Sequence, residues 1–340
     1  MKRVALITGI SGQDGSYLAK LLIEKNYTVI GTDRRSSRKN DWRTKKLNIH
    51  DKIIFEEMEL SEINQINRIF NKYKINEVYN FAAQSFVASS FENPIYTCDI
   101  NSLGVLRILE VIRNLKFKPK FYQASTSEMF GNSHLSNYKQ FNPVSPYGTS
   151  KLFAHNIVSN YRDAYKLYAV SGLLFNHESP LRGEEFITRK ITLGLAQINS
   201  GEKDVIEVGN IQAKRDWGYA EDYVEAIWKM LQQKKPQDYI IGSGKSYSIK
   251  NFIDEAVKYC DFETLWVGKG LNKRLIKKKT KEVVIKINPK FYRPTEIHFL
   301  KCNFNNSRKI LKWKPKTDFK NLVKIMMLSD LKKEKVFFYN

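Results

Sequence analysis

The stretch RVALITGISGQDGSYLAKLLIEKN (3–26) decides the fold. Residues 3–8 form a short apolar run that reads as a buried first strand. Gly9, Gly12 and Gly15 follow at once, and SYLAKLLIEKN (16–26) then carries apolar residues at helical spacing. Glycines between a strand and a helix let the backbone come close to a pyrophosphate while the helix N-terminus faces its charge. A glycine triplet alone is a weak signal, and its weight comes from what surrounds it.

Outward from this stretch, YTVIGTD (27–33), KIIFEEMEL (52–60), EVYNFAAQS (77–85), KFYQASTSEMFG (120–131) and LYAVSGLLFNHESP (167–180) read as further strands with their loops. Helical spacing recurs at 63–74, at 103–115 and from Tyr147 to about Tyr165. This alternation predicts an α/β fold, a Rossmann-type doubly wound parallel sheet that forms a dinucleotide-binding domain over 1–180. The rhythm then breaks. Helices at 186–201, 220–233, 249–260 and 319–333, with irregular segments between them, predict a smaller C-terminal α/β substrate lobe over 181–340 that partly interleaves with the first domain. Within it, KGLNKRLIKKKTKEVVIK (269–286) is expected to be a mobile loop.

A chain of 340 residues, 42% of them hydrophobic, suffices for one large domain with an appendage, or for two domains. Its three cysteines, Cys98, Cys260 and Cys302, show neither metal nor disulfide spacing, which fits a reducing compartment; the expected location is cytoplasmic. Neither a membrane span, a signal peptide nor a metal site is expected. The formal charge of +22 admits nucleic-acid binding or a solvated, lysine-rich surface. The basic stretch lacks interleaved aromatic residues and no nucleic-acid motif is present, so a basic cleft for an anionic nucleotide is expected instead.

Tyr147 and Lys151 lie four residues apart in SPYGTSK (145–151), which places them on one helical face. An ammonium beside a phenol favours the phenolate, so Tyr147 is expected to titrate nearer neutrality than its usual ~10. Such a tyrosine can take a proton from a sugar hydroxyl while a nicotinamide takes the hydride. STSEMFG (125–131) ends the fifth strand; Thr126 is the natural partner for that hydroxyl, and Glu128 adds a carboxylate. Once C4 of a sugar is a ketone, its C5 proton is acidified, and a positioned base can remove it while the C6 hydroxyl departs. Asp33 at the end of the second strand favours a ribose hydroxyl, hence NAD, whereas Arg34, Arg35, Ser36 and Ser37 favour a 2′-phosphate, hence NADP. NADP is the expected cofactor, with NAD left open by Asp33.

The GxxGxxG spacing, NFAAQS (80–85) and the Tyr147/Lys151 couple together resemble the short-chain dehydrogenase superfamily. YNFAAQSFVASSFENP (79–94), FYQASTSEMFG (121–131), LLFNHESPLRG (173–183), FITRKI (186–191), AKRDWGYAEDYV (213–224) and FYRPTE (291–296) narrow the resemblance to the GDP-mannose 4,6-dehydratase family, over nearly the whole chain. The resemblance implies a hydro-lyase that yields GDP-4-keto-6-deoxy-mannose for deoxysugar synthesis, such as GDP-fucose. It implies Thr126, Glu128, Tyr147 and Lys151 as catalytic residues. Cofactor contacts are implied at Gly9, Gly12, Gln13, Asp14, Gly15, Arg34, Arg35, Glu59, Leu60, Ala82, Ala83, Ser85, His177 and Arg182, in addition to Tyr147 and Lys151. Ser85, Thr126, Glu128, Asn176, Lys190, Arg215, Arg293 and Glu296 would meet the GDP-sugar. A homo-oligomer, dimer or tetramer, is also implied, with Arg34–Ser37 near a neighbouring subunit's cofactor. The alternatives are a dehydratase of another GDP-sugar, such as a GDP-heptose, and a nucleotide-sugar epimerase. Departures from the family pattern are Asp33, Glu59, Phe81, Phe86, Val144 and a short loop between Gly131 and Tyr147.

Overall fold

The apolar run at the start of the chain becomes β1 (Val4–Thr8), and the five later runs become β2 (Thr28–Asp33), β3 (Ile53–Glu57), β4 (Glu77–Asn80), β5 (Lys120–Thr126) and β6 (Ala169–Leu174). The structure is a computed structural model that describes residues 2–37, 40–132 and 141–336, with side chains through Lys332. Most of the loop between Gly131 and Tyr147, positions 133–140, lies outside the described residues. All six strands pair in parallel, and a short seventh strand, Tyr239–Ile241, joins β6 at the edge. The sheet order is Tyr239–Ile241, β6, β5, β4, β1, β2, β3. The winding reverses between β1 and β4, which opens a crevice beyond their carboxyl ends.

Alternation along each strand builds two apolar layers. Leu6, Ile30, Val78 and Phe121 face one side and pack with Ile66, Ile69, Ile108 and Val158. Their neighbours Ile7, Val29, Tyr79 and Tyr122 face the other side, against Leu18 and Leu22 of α1 (Gln13–Glu24) and Val224 and Ile227 of the helix Ala220–Leu231. A helix and a strand from beyond residue 180 therefore complete the first sheet. Glu221 and Asp222 occupy the first turn of Ala220–Leu231, where carboxylates meet the positive helix end.

The stretch 269–286 is not a loop. Arg274–Lys277 and Val283–Ile287 form an antiparallel hairpin within a four-stranded sheet, between Thr264–Val267 and Ile206–Val208. Its lysines conceal an apolar set, Leu275, Val284 and Ile285, that packs with Ile191, Leu195, Phe252 and Met326. The lobe is tied together by a buried ion pair, Arg189 to Asp330 at 2.7 Å, between the helices Ile187–Ser200 and Phe319–Val336. Among the described residues, no helix is long and apolar enough to cross a membrane, and no cluster of side chains could hold a metal ion.

Candidate active site

The site begins where β1 ends. Gly9 turns with φ of +69°, and a Cβ there would lie 2.9 Å from the Ala82 amide nitrogen in the loop after β4. A Cβ on Gly15 would lie 2.4 Å from the Gly9 carbonyl oxygen. Only glycines let the turn, α1 and the β4 loop close up this tightly, and the first turn of α1 then faces a cleft of ≈ 900 Å3. Gly9, Gly12, Gln13, Asp14 and Gly15 line one end of that cleft. This end suits a dinucleotide pyrophosphate: amide donors and a helix N-terminus, with no side chain in the way.

His177 closes the same end. Its Nε2 lies 2.7 Å from an Asp14 carboxylate oxygen, its Nδ1 lies 2.8 Å from the Phe175 carbonyl, and its ring stacks on Tyr223 at 4.9 Å. Burial would lower the His177 pKa, but Asp14, by charge and by hydrogen bond, raises it above the ordinary 6.5. Burial would likewise raise the Asp14 carboxyl, yet His177 holds it below 3.8. An ion pair therefore fastens the turn of the glycine loop to the end of β6.

The helix Pro146–Tyr165 presents the next groups. Pro146 stands in its first turn and Ser145 caps it by accepting from the Gly148 amide at 3.0 Å. Tyr147 and Lys151 are both buried and line the cleft. Burial pushes the Tyr147 phenol up to about 12, against a partial downward pull from its hydrogen bond with Thr126. The expectation of a tyrosine nearer neutrality is thus corrected. Desolvation dominates, and the lysine is engaged elsewhere: its Nζ donates to the Ala124 carbonyl at 2.9 Å and stands 6.0 Å from the Tyr147 ring centre. Burial also lowers Lys151 to about 8.

Thr126 ends β5, and its hydroxyl accepts from the Glu128 amide at 3.2 Å, opening the short turn Ser127–Phe130. This turn aims Glu128, also buried, into the cleft beside Tyr147. The Arg293 guanidinium approaches the Glu128 carboxylate to 3.7 Å from the other wall. Arg215 is held by Glu296 at 3.0 Å and donates to the Ile297 carbonyl at 2.7 Å. The Lys190 ammonium lies 3.6 Å over the Phe291 ring, and burial lowers its pKa.

The cleft thus brings together Thr126, Glu128, Tyr147 and Lys151 with Ala83, Ser85, Asn176, His177, Arg182, Lys190, Arg215, Arg293 and Glu296. Arg34, Arg35, Glu59, Leu60 and Ala82 do not line it. Arg34 donates to the Tyr96 hydroxyl at 2.6 Å, the Glu59 amide donates to Gln65, and the Leu60 carbonyl accepts from Arg107. Ala82 presses on the Gly9 turn instead. Asp33 lies half-buried at the end of β2, and desolvation raises its carboxyl despite hydrogen bonds from Ser11. The sequence reading passed over Arg43, which donates to the Ser11 carbonyl at 3.0 Å and to the Leu181 carbonyl at 2.6 Å and so bridges the glycine loop to the C-terminal half. In so basic a chain its charge carried no signal. Glu184 and Glu185 also line the cleft and were passed over because they fall between the motifs LLFNHESPLRG and FITRKI; Tyr292 lines it too, from within FYRPTE, where only Arg293 and Glu296 were singled out.

The family model for GDP-mannose 4,6 dehydratase matches residues 6–326. The GDP-mannose 4,6 dehydratase of Dictyostelium discoideum is 44% identical over 344 residues, covering 97% of this chain and 96% of that protein. The Drosophila melanogaster and Homo sapiens proteins of that name are 43% and 42% identical over 97% of this chain, covering 86% and 92% of their own lengths. Among solved structures, a UDP-glucose 4-epimerase from Thermotoga maritima superposes with a TM-score of 0.79 at 22% identity, over 98% of this chain and 99% of that one. A dTDP-glucose 4,6-dehydratase from Bacillus anthracis, in complex with NAD, gives 0.79 at 20% identity over 98% of both chains. At such identities these structures establish the shared fold.

The His177–Asp14 pair has a pH signature. A histidine whose folded pKa is raised contributes stability that is fully present below about 6.5 and is lost as pH rises through the higher folded value. Denaturant unfolding at a series of pH values is expected to show stability falling from pH 6.5 upward. In His177→Gln that slope is expected to flatten; an unchanged slope would show that the pair does not couple proton binding to folding.

Proposed function

The chain belongs to the GDP-mannose 4,6-dehydratase family, and we propose that its cleft removes water from GDP-mannose to give GDP-4-keto-6-deoxy-mannose. The observation that carries this reading is the convergence of a buried carboxylate, Glu128, with Thr126, Tyr147 and Lys151 on one cleft wall. Alcohol oxidation or epimerisation at C4 gives such a carboxylate no proton to take. Elimination across C5 and C6 does.

A nicotinamide dinucleotide fits the glycine end, and when bound it supplies a hydride acceptor that later returns the hydride and, in its oxidised form, a positive charge. Tyr147, its phenol near 12, stays protonated at neutral pH. It therefore takes the C4 hydroxyl proton in the course of the oxidation rather than as a preformed phenolate. Lys151, lowered to about 8, still carries its own proton at pH 7 and stabilises the phenolate as it forms. Thr126 orients the hydroxyl. Glu128 takes the C5 proton and gives it to the departing C6 hydroxyl, so one water leaves and the carboxylate is restored; when C6 receives the hydride, C5 regains the proton that Tyr147 took from the C4 hydroxyl, so the phenol is restored as well. On the far wall, Arg293, Arg215 and Lys190 hold the diphosphate, with Asn176 and Glu296 beside them. Arg293 then exchanges Glu128 for phosphate oxygens, which releases the base only when substrate is seated.

NADP is the proposed cofactor. Arg34 and Arg35 follow the half-buried Asp33, whose carboxyl is raised by desolvation, and Arg43 stands fixed at the Ser11 carbonyl, so cations surround the position where a 2′-phosphate would lie. The proposed assembly is a homo-oligomer. Exposed Ile95 (86%), Leu103 and Phe153 lie on helices that pack beside one another and offer an apolar face to a second copy.

Incubation with GDP-mannose is expected to give a product lighter by one water. Tyr147→Phe and Glu128→Gln are each expected to cut turnover by about two orders of magnitude or more. Undiminished dehydration in Glu128→Gln would refute the base assignment, and a product of unchanged mass would refute the reaction. Titration should find NADP bound more tightly than NAD, and the reverse order would overturn the cofactor proposal. In sedimentation velocity, Ile95→Glu/Phe153→Glu should shift the protein to a smaller species, and an unaltered profile would place the contact elsewhere.

A further inference from the structure

A second concavity, of ≈ 750 Å3, opens in the C-terminal lobe. Its walls are the turn after the helix Ile187–Ser200 and the hairpin strands Arg274–Lys277 and Val283–Ile287. Five cations converge on it, Lys203, Lys273, Arg274, Lys277 and Lys286, against two carboxylates, Asp204 and Glu282. Lys277 is paired with Glu282 at 2.9 Å, and Lys286 with Glu207 at 2.9 Å. Lys273 stands 5.5 Å from the centre of the Trp266 ring. Among the described residues, no ion pair of 4 Å or less joins Lys203 or Arg274 to a carboxylate. The charge of Lys203 also reaches Lys190, whose pKa it helps to lower. Positive charge is therefore gathered here faster than it is neutralised, in a hollow whose low-dielectric walls focus it.

The floor is apolar, with Ile198, Val205 and Val283 between the cations. Among the described residues no aromatic side chain lines the hollow, so they offer no stacking platform for a nucleic-acid strand. Cations on several walls around an apolar floor match a compact anion that carries a ring rather than an extended polyanion.

We propose that this concavity is a second ligand site, separate from the catalytic cleft, for a phosphate-bearing small molecule of mononucleotide size. Lys203 and Arg274 bind the phosphate oxygens, and Ile198, Val205 and Val283 support the nucleoside. Because no residue of the hollow belongs to the catalytic cleft, the site stands whether or not the dehydration chemistry does.

The test is isothermal titration of ADP, and separately of inorganic pyrophosphate, into the full chain already saturated with GDP and NADP. One further equivalent of each is expected to bind. Lys203→Ser/Arg274→Ser should weaken that event by about tenfold or more, because two charged donors to phosphate are lost. Lys279→Ser/Lys281→Ser removes the same formal charge from the hairpin turn outside the hollow, and should change it less than about twofold. Absence of a further equivalent would overturn the proposal. So would equal weakening in both double variants, which would reduce the effect to diffuse surface charge.

Discussion

The architecture hangs on one close approach. After Thr8 the chain must reverse into α1 within a few residues, and the loop after β4 occupies the space a side chain would need. Gly9 supplies the left-handed backbone, and the absence of a Cβ on Gly9 and Gly15 lets three segments touch. That contact fixes where α1 points and where the pyrophosphate of a dinucleotide can lie. The carboxyl ends of β4, β5 and β6 open on the same edge, because parallel strands all end on one side of the sheet. Ser85, Thr126 and His177 are consequently delivered to one cleft from separate strands.

Within that cleft burial governs the protonation states. It drives the Tyr147 phenol up and the Lys151 ammonium down, so both groups move toward their neutral forms. The His177–Asp14 pair escapes this trend only because the two are in direct contact and each holds the other's charge. Glu128 is similarly approached, among the described residues, by the Arg293 guanidinium, carried on a segment far along the chain. Charge in this cleft is costly to create, and it is stabilised where an opposite charge stands beside it, as in His177 with Asp14 and Arg293 with Glu128.

Much of the fold was legible because strands β1 to β6 are apolar runs bounded by turns, and because helices such as Ile63–Lys72 bury Ile66, Ile69 and Phe70 on one face. The edge strand Tyr239–Ile241 was missed, since three residues are too few for a period to register. The hairpin over 274–287 was misread for a different reason. Its exposed lysines outnumber Leu275, Val284 and Ile285, yet those few residues bury against the lobe's core and decide the conformation. Lysine count measured the solvated face and said nothing of the other one.

The sequence alone determined the order of β1 to β6 and of the helices between them, the glycine turn and the spacing of Tyr147 with Lys151, because each rests on a local period or on a few adjacent residues. Only the tertiary structure decided that burial lifts the phenol, that Arg293 faces Glu128, that Arg43 braces the glycine loop, and that the basic hairpin encloses a hollow. Those outcomes depend on desolvation and on contacts between residues far apart in the chain, such as Arg43 with Ser11 and Arg293 with Glu128, and neither is written in any single stretch of it.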